Sequence, residues 1–374
     1  MRFPDFNDDW TQCCISDYGD IVTGSTPSTS DPENYQENGF LWASPADINE
    51  SKFIEATKTT LSLKGFNSTR KLPPYTVLVV CIGSTIGKMA MSKTVMATNQ
   101  QINSIVVCEK YSPEFVYYAI DSRFPQYLTS VAVQAVPIIS KSTFGALESC
   151  APSLTEQKKI ADFLSLIDER IQSCSETIKE LKTQKAGLLN QLFSQKLRFP
   201  DFTDEWTQTT LGEILDYEQP TFYIVNNTDY SNDSSLIPVL TANKSFVLGY
   251  VNEENIYDKG ECIILDDFTL DIKFVDFPFK IKSSAIKILT AKKGVNIKII
   301  YNYLLFMNLR GQEKDHKRHY ISEVQPLSIS LPTLEEQKKI ADFLSLIDER
   351  IEVEEQLLKK YEEQKKYLLR QMFV

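Results

Sequence analysis

Histidine is close to missing from this chain of 374 residues, which holds only His316 and His319. No apolar run is long enough to cross a bilayer, and the opening MRFPDF carries no apolar core of a secretion signal. A soluble, cytoplasmic protein is expected. The cysteines Cys13, Cys14, Cys81, Cys108, Cys150, Cys174 and Cys262 are odd in number, scattered, and never in a CxxC spacing. Neither a disulfide framework nor a zinc site is expected, and Cys81, inside VLVVCIG, reads as a small buried hydrophobe. Catalytic signatures are lacking too: there is no Walker pair and no cluster of nuclease carboxylates. An adenine-N6 methyltransferase would need a glycine-rich cofactor loop and an Asn or Asp ahead of Pro-Pro-Tyr or Pro-Pro-Phe. The nearest string is Leu72-Pro73-Pro74-Tyr75, whose leucine cannot hold an adenine amine. The chain is therefore not expected to be a catalyst.

What the chain does have is repetition. The string EQKKIADFLSLIDERI stands at 156–171 and again, letter for letter, at 336–351. Each copy follows a short lead, Pro152-Ser153-Leu154 or Pro332-Thr333-Leu334, and opens a run of about thirty residues or more without Gly or Pro. Both predict long helices. Their apolar residues recur in a four-then-three rhythm: Ile160, Leu164, Ile167, Ile171, Ile178, Leu181 and Leu188 in the first, with Ile340, Leu344, Ile347, Ile351, Leu358 and Leu368 in the second. A stripe that narrow suits a two-helix coiled-coil seam. Cys174 or Glu354 interrupts one series and Lys185 or Lys365 the other. A partly open, solvated seam is expected there, with a specific register device as the other reading. Thirty-five to forty helical residues give a rod of roughly 55 to 60 Å.

The repeat reaches beyond the helices. RFPDF at 2–6 returns at 198–202, and DDWTQ at 8–12 returns as DEWTQ at 204–208. The openings lie 196 residues apart and the helix strings 180, so the first middle is longer by sixteen. Two halves related by a pseudo-two-fold axis would bring Arg2 and Phe3 to Phe373, the counterpart of Phe193, making the termini neighbours. The middles, about 13–149 and 209–331, show no obvious similarity. An unchanging frame thus carries two unlike inserts, as two readers of different targets would require.

The net charge of −10 argues against a polyanion partner only until its distribution is considered. Residues 52–93 hold seven Lys or Arg against Glu55, and residues 273–318 hold eleven against Asp276, Glu313 and Asp315. Solvated outward faces would explain either stretch alone. Finding both favours a basic face in each half.

Within the inserts, residues 76–83, 102–109, 261–267 and 284–289 are β-branched runs bounded by turn signals, and 113–122 and 296–309 have helical periodicity. GSTIGK at 83–88 fails as a phosphate-binding loop, because its glycines are one residue too close and Met89 stands where a hydroxyl should hold magnesium. It reads either as a close approach to a DNA backbone or as a plain hairpin turn. TNQQIN at 98–103 suits bidentate readout of adenine, or a turn that satisfies its own backbone. Asp266 and Asp267 read as turn acids. EKDHKRHY at 313–320 is weak as a metal site and better as a phosphate clamp, with His316 and His319 among Lys314, Lys317 and Arg318.

Taken together, the P-x-L-x-EQKKIADFLSLIDERI string in both copies, the RFP-F…W openings and the unlike inserts resemble the DNA-specificity subunit of type I restriction-modification systems. The resemblance covers the whole chain and is most specific in the helix string. It implies an α+β fold: two globular mixed α/β target-recognition domains (1–151 and 197–331) separated by two long antiparallel coiled-coil helices (152–196 and 332–374), as a pseudo-two-fold internal repeat. Each domain would read one half of a bipartite site on double-stranded DNA. The helices would set the spacer and dock two methyltransferase subunits, and two restriction motor subunits would complete the complex. The specificity subunit would bind no cofactor itself, with S-adenosylmethionine, ATP and Mg on its partners, and no membrane. By position the resemblance points to Ser84, Lys88, Asn99, Gln100 and Gln101. In the second domain Asn243, Lys244, Lys273, Lys282, Ser283, Arg310, Lys317 and Arg318 are candidates on local chemistry alone. The alternative reading is a coiled-coil scaffold whose basic faces meet an acidic protein. An autonomous methyltransferase is a third.

Overall fold

The prolines of the two leads, and the hydroxyl that follows each, start the long helices. The computed structural model describes residues 1–49, 51–130, 137–242, 245–309 and 317–373, and in it the helices span Leu154–Phe193 and Leu334–Met372. Ser153 and Thr333 reach the backbone N–H groups of Glu156 and Glu336, while Gln157 and Gln337 donate back to the carbonyls of Pro152 and Pro332 at 2.9 Å. Donors left over at a helix start are satisfied in this way. The first helix stops where Gln195 turns left-handed, at φ 57°. No described helix is long and apolar enough to cross a membrane.

The chain forms two compact units, Met1–Thr177 with Glu354–Val374, and Ile178–Val353. In the first unit the Thr11–Cys14 strand pairs antiparallel with Glu148–Ala151, which feeds the first long helix. A five-stranded sheet runs in the order Gly19–Thr23, Ile102–Val107, Val77–Val80, Met89–Ser92 and Phe53–Ile54. A three-stranded sheet runs Thr60–Leu61, Tyr35–Ala43, Ala97–Thr98. The helix Pro113–Ser130 contributes Phe115, Val116 and Tyr118 to the core. It continues through Pro125, eight residues beyond the stretch that its periodicity marks.

The second unit repeats this plan. Thr207–Thr210 pairs with Ser328–Leu331 ahead of the second long helix. A four-stranded sheet runs Leu215–Glu218, Ile286–Ala291, Cys262–Asp266, Ile272–Val275, and a three-stranded one Val247–Val251, Ile237–Leu240, Lys280–Ile281. The four strands follow the same chain order and the same neighbours as their counterparts in the first unit. Backbone bonds agree as well. Cys81 N–H donates to the Gln101 carbonyl and Ile139 N–H to that of Cys81, both at 2.8 Å; Asp267 N–H donates to Ala285 at 2.8 Å and His319 N–H to Asp267 at 2.9 Å. Inserts without visible sequence similarity thus share one topology. Strand pairing is a main-chain matter, and any side chain that fits the pleat and its burial will serve.

The frame accounts for its own repetition. Arg2 grips Glu156 with two bonds of 2.8 Å, and Arg198 grips Glu336 with two of the same length. Both carboxylates are buried, and such paired bonds fix orientation as well as distance. In the first unit Phe3 packs edge-on against Phe163, Trp10 lies 5.9 Å from Phe373, and the amino terminus donates to the Gln371 carbonyl. The termini are neighbours, as the repeat requires.

Within each unit the two long helices run antiparallel. In the first, Asp168 meets Lys365 at 2.7 Å and Cys174 lies beside Glu354; in the second, Lys185 meets Asp348 at 2.6 Å. Ile160, Leu164, Ile167, Ile178, Ile340, Leu344, Ile351 and Leu368 are buried, while Ile171, Leu181, Leu188, Ile347 and Leu358 are half-buried. The expectation of a solvated seam at Lys185 and Lys365 is wrong. Each ammonium is drawn in by an aspartate of the facing helix, and burial without that partner would be costly.

Candidate nucleic-acid interface

In the first unit one end of the sheets collects the loops on which the candidate residues lie. Val80, Met89 and Ile102 meet there through the strand registers, and Thr98 and Thr23 end there. Ser84 and Lys88 sit exposed on the hairpin between Val77–Val80 and Met89–Ser92. The hairpin is closed by Val80 N–H to Lys88 and Gly87 N–H to Val80, each 2.9 Å. Gly87 takes φ 93°, and a Cβ there would lie 2.7 Å from the Phe124 ring, so the loop demands glycine at that point. Of the two readings of GSTIGK, the hairpin describes its backbone, and on it Lys88 is exposed with its ammonium donating to the Ile48 carbonyl at 3.4 Å.

The amide segment divides into one exposed side chain and two engaged ones. Asn99 is buried, donates to Gln101 Oε1 at 2.9 Å and accepts the Gln101 N–H at 3.0 Å. It shapes its own turn. Gln101 reaches the Ile82 carbonyl at 3.4 Å, which ties the amide turn to the hairpin. Gln100 is exposed, and its Oε1 accepts from Thr26 at 2.5 Å. Arg70 belongs to this end as well, donating to the Thr23 carbonyl at 2.6 Å. Sequence reasoning counted Arg70 only within a basic stretch, because nothing local shows which loop it reaches.

In the second unit the equivalent end gathers Lys273, Lys282, Ser283 and Arg318. Lys282 N–H donates to the Leu240 carbonyl, and Ser283 is exposed beside it. The Lys273 ammonium stands 5.9 Å from the Phe246 ring. Arg318 Nη1 donates to the Ser284 carbonyl at 3.0 Å and approaches Asp267 Oδ2 at 3.4 Å, with its guanidinium over Phe268 at 5.5 Å. Lys317 is exposed next to it. Asn243, Lys244 and Arg310, with Lys314 and His316, lie outside the described residues.

Three readings of the sequence change. His319 is buried and its Nδ1 sits 2.6 Å from Glu323 Oε1, so it turns inward and does not clamp a phosphate. Asp266 is a turn acid, accepting from Phe268 and Thr269 N–H at 2.9 and 3.0 Å. Asp267 is more than that: buried, it accepts Tyr320 N–H at 2.7 Å and meets the buried Lys287 at 3.4 Å. Finally, the basic stretches overcount the basic surface. Lys280 is buried against Glu253, Lys287 against Asp267, and Lys64 and Lys93 are tied to surface acids. The exposed cations at the loop end of each unit are therefore few.

A pocket of about 410 Å³ opens at this end of the second unit, lined by Gln219, Asp267, Lys287, Arg318, Ile321 and Ser322. The corresponding positions in the first unit, by strand register and backbone bonds, are Thr23, Cys81, Asn103, Ile138, Lys141 and Ser142. There Thr23 donates to Asn103 at 2.7 Å, and burial pushes the Cys81 thiol up to about 11. One position in the fold thus carries a neutral pair in the first unit and an ionic one in the second. Among the described residues no group of three or more His, Cys, Asp or Glu could hold a metal ion.

Residues 7–183 and 203–363 match the family described as "Type I restriction modification DNA specificity domain". The chain is 45% identical over 140 residues (36% of this chain) to the specificity subunit of the type I restriction enzyme EcoR124I/EcoR124II of Escherichia coli. It is 31% identical over 174 residues (44% of this chain) to that of HindI of Haemophilus influenzae. Those matches span 34% and 38% of the two relatives' own lengths. A longer match, 26% identical over 309 residues, links 78% of this chain to 67% of the MjaIX specificity subunit of Methanocaldococcus jannaschii. Among solved structures, the S subunit of a type I restriction-modification system from M. genitalium superposes with a TM-score of 0.70 at 17% identity, covering 98% of this chain and 97% of that one. Both inserts, and both copies of the helix string, fall within the matched residues: the chain belongs to the type I restriction-modification DNA specificity family.

Proposed function

We propose that the chain is the specificity subunit of a type I restriction-modification complex, in which each domain reads one half of a bipartite duplex site. The observation that carries this reading is a single topology used twice, with unlike side chains at the same loop end and an identical frame beneath. Exposed Lys88, Arg70, Lys282 and Lys317 would neutralise phosphates, while Gln100 and Arg318 would meet base edges. The chain itself would transfer nothing. Methyl transfer with S-adenosylmethionine, and ATP-driven cleavage with magnesium, would belong to methyltransferase and restriction subunits docked on it.

The helices support the docking half of this reading. Leu166 and Leu346 are 60% and 63% exposed, and Leu154 and Leu334 are 37% and 38% exposed. Matching residues of both strings and both leads stay outside, where large apolar side chains mark a surface waiting for a partner. Two copies of one surface suit two copies of one subunit, with the helix length setting the spacer.

Filter binding over permuted duplex sites tests the proposal. Lys88→Ala should weaken binding to every sequence and reduce the salt dependence by about one phosphate contact. Gln100→Ala should instead relax discrimination at one base pair, by about 1–3 kcal/mol. Binding that duplex DNA does not compete, together with retention of an acidic protein, would favour the scaffold reading.

A further inference from the structure

We infer that Arg318 reads a guanine, giving the second domain's half-site a G·C pair from a position that holds Ile138 in the first domain. The inference rests on the DNA-binding reading above and adds to it the base and the residue.

A guanidinium that discriminates between bases must be held in orientation, since specificity lies in the direction of its N–H groups. Arg318 is held on two sides. Its Nη1 is anchored by the Ser284 carbonyl and Asp267, and its plane lies over Phe268. Asp267 is in turn fixed by the Tyr320 N–H and by Lys287, both from the interior. The Arg318 side chain remains 46% exposed, and among the described residues Nη2 and Nε have no protein partner. That outer edge offers two parallel N–H groups. Guanine presents two acceptors in the major groove, O6 and N7, whereas adenine presents one acceptor and one donor. The outer edge therefore matches guanine and opposes adenine.

A phosphate contact needs no such scaffold. Phosphates are served by any exposed cation, and a carboxylate held against the guanidinium would weaken its hold on an anion. The pocket beside Arg318, with Gln219, Ile321 and Ser322 on its walls, leaves room for a groove edge to approach. In the first domain the equivalent of Arg318 is Ile138, which is 47% exposed and offers no donor from its side chain, and the equivalent support is the neutral pair Cys81 and Asn103. Asp267 and Phe268 are positioning residues; only Arg318 would touch the base.

The test uses the purified full-length chain, a randomised pool of duplexes, and sequencing of those retained. The wild-type chain should enrich a two-part motif. Arg318→Ala should make one G·C position of one half degenerate while leaving the other half as sharp as before, an internal control that the variant is folded. Arg318→Lys keeps the charge but not the paired donors, and should lose the same position with total affinity nearly kept. On the chosen duplex, 7-deazaguanine at that position should weaken wild-type binding at least tenfold and Arg318→Ala binding no further. The inference is overturned if the wild type enriches a two-part motif and Arg318→Ala preserves every position of it while binding all sequences less tightly. Should the wild type enrich no motif at all, the DNA-reading proposal itself falls, and the inference with it.

Discussion

The two domains answer one structural question in two ways. Where the central strands end, the first domain places a thiol and an amide, Cys81 and Asn103, and the second a carboxylate and an ammonium, Asp267 and Lys287. Backbone bonds on both sides are the same to within 0.1 Å. The fold is therefore indifferent to the chemistry of this position, provided that it is internally satisfied. That freedom would let one scaffold support readers of different bases, as the proposed function requires, and it makes the second domain the more vulnerable one.

The largest expected effect breaks the comparison at that point. Lys287→Met would leave the buried Asp267 carboxylate with the Tyr320 N–H and, as its cation among the described residues, the half-exposed Arg318, at a cost of about 3–5 kcal/mol, against about 1–3 kcal/mol for Asn103→Leu in the first domain. Urea unfolding with hydrogen exchange resolved by domain would measure both, and equal losses would refute the contrast. The frame should behave in the opposite manner. Ile160→Ala and Ile340→Ala remove buried side chains at 2% and 1% exposure in identical strings, so each should cost about 2–5 kcal/mol and the two should agree.

The seam pairs sharpen the picture at a smaller scale. Asp168 is 14% exposed and Asp348 46%, so Lys365→Met should cost about 1–3 kcal/mol and Lys185→Met less than about 1 kcal/mol. The smallest effect is one of pH and belongs to the first domain alone. Burial holds the Lys52 ammonium below the usual lysine range, against the pull of Asp168 and Glu114. The unfolded chain then binds more protons between the lowered value and 10.5, so this group makes stability rise with pH across that window. Thermal melts of Lys52→Met at alkaline pH should lack that rise.

Much of this was legible in the residues. The helix strings, the strands around VLVV and CIIL, and the meeting of the termini all follow from periodicity and repeat offsets, because those signals are local or counted along the chain. The shared topology of the inserts was not legible, since register is set by main-chain pairing that tolerates unrelated side chains. Neither were the partners of Lys185 and Lys365, which depend on which turn of a facing helix lies opposite. At the loop ends the sequence marked Gln100 and Asn99 alike. Only coordinates separate an amide that faces solvent from one consumed by its own turn. Likewise Lys280 and Lys287 count as positive charge along the chain, yet they stand inside with their acids.

Leu368, Leu369, Met372 and Phe373 share one core with Phe115, Val116 and Ile160. During synthesis, therefore, the first of the two domains cannot be sealed until the second has emerged. Its half-built core must wait through the translation of its sibling, and a premature stop near residue 353 would harm the early domain more than the late one.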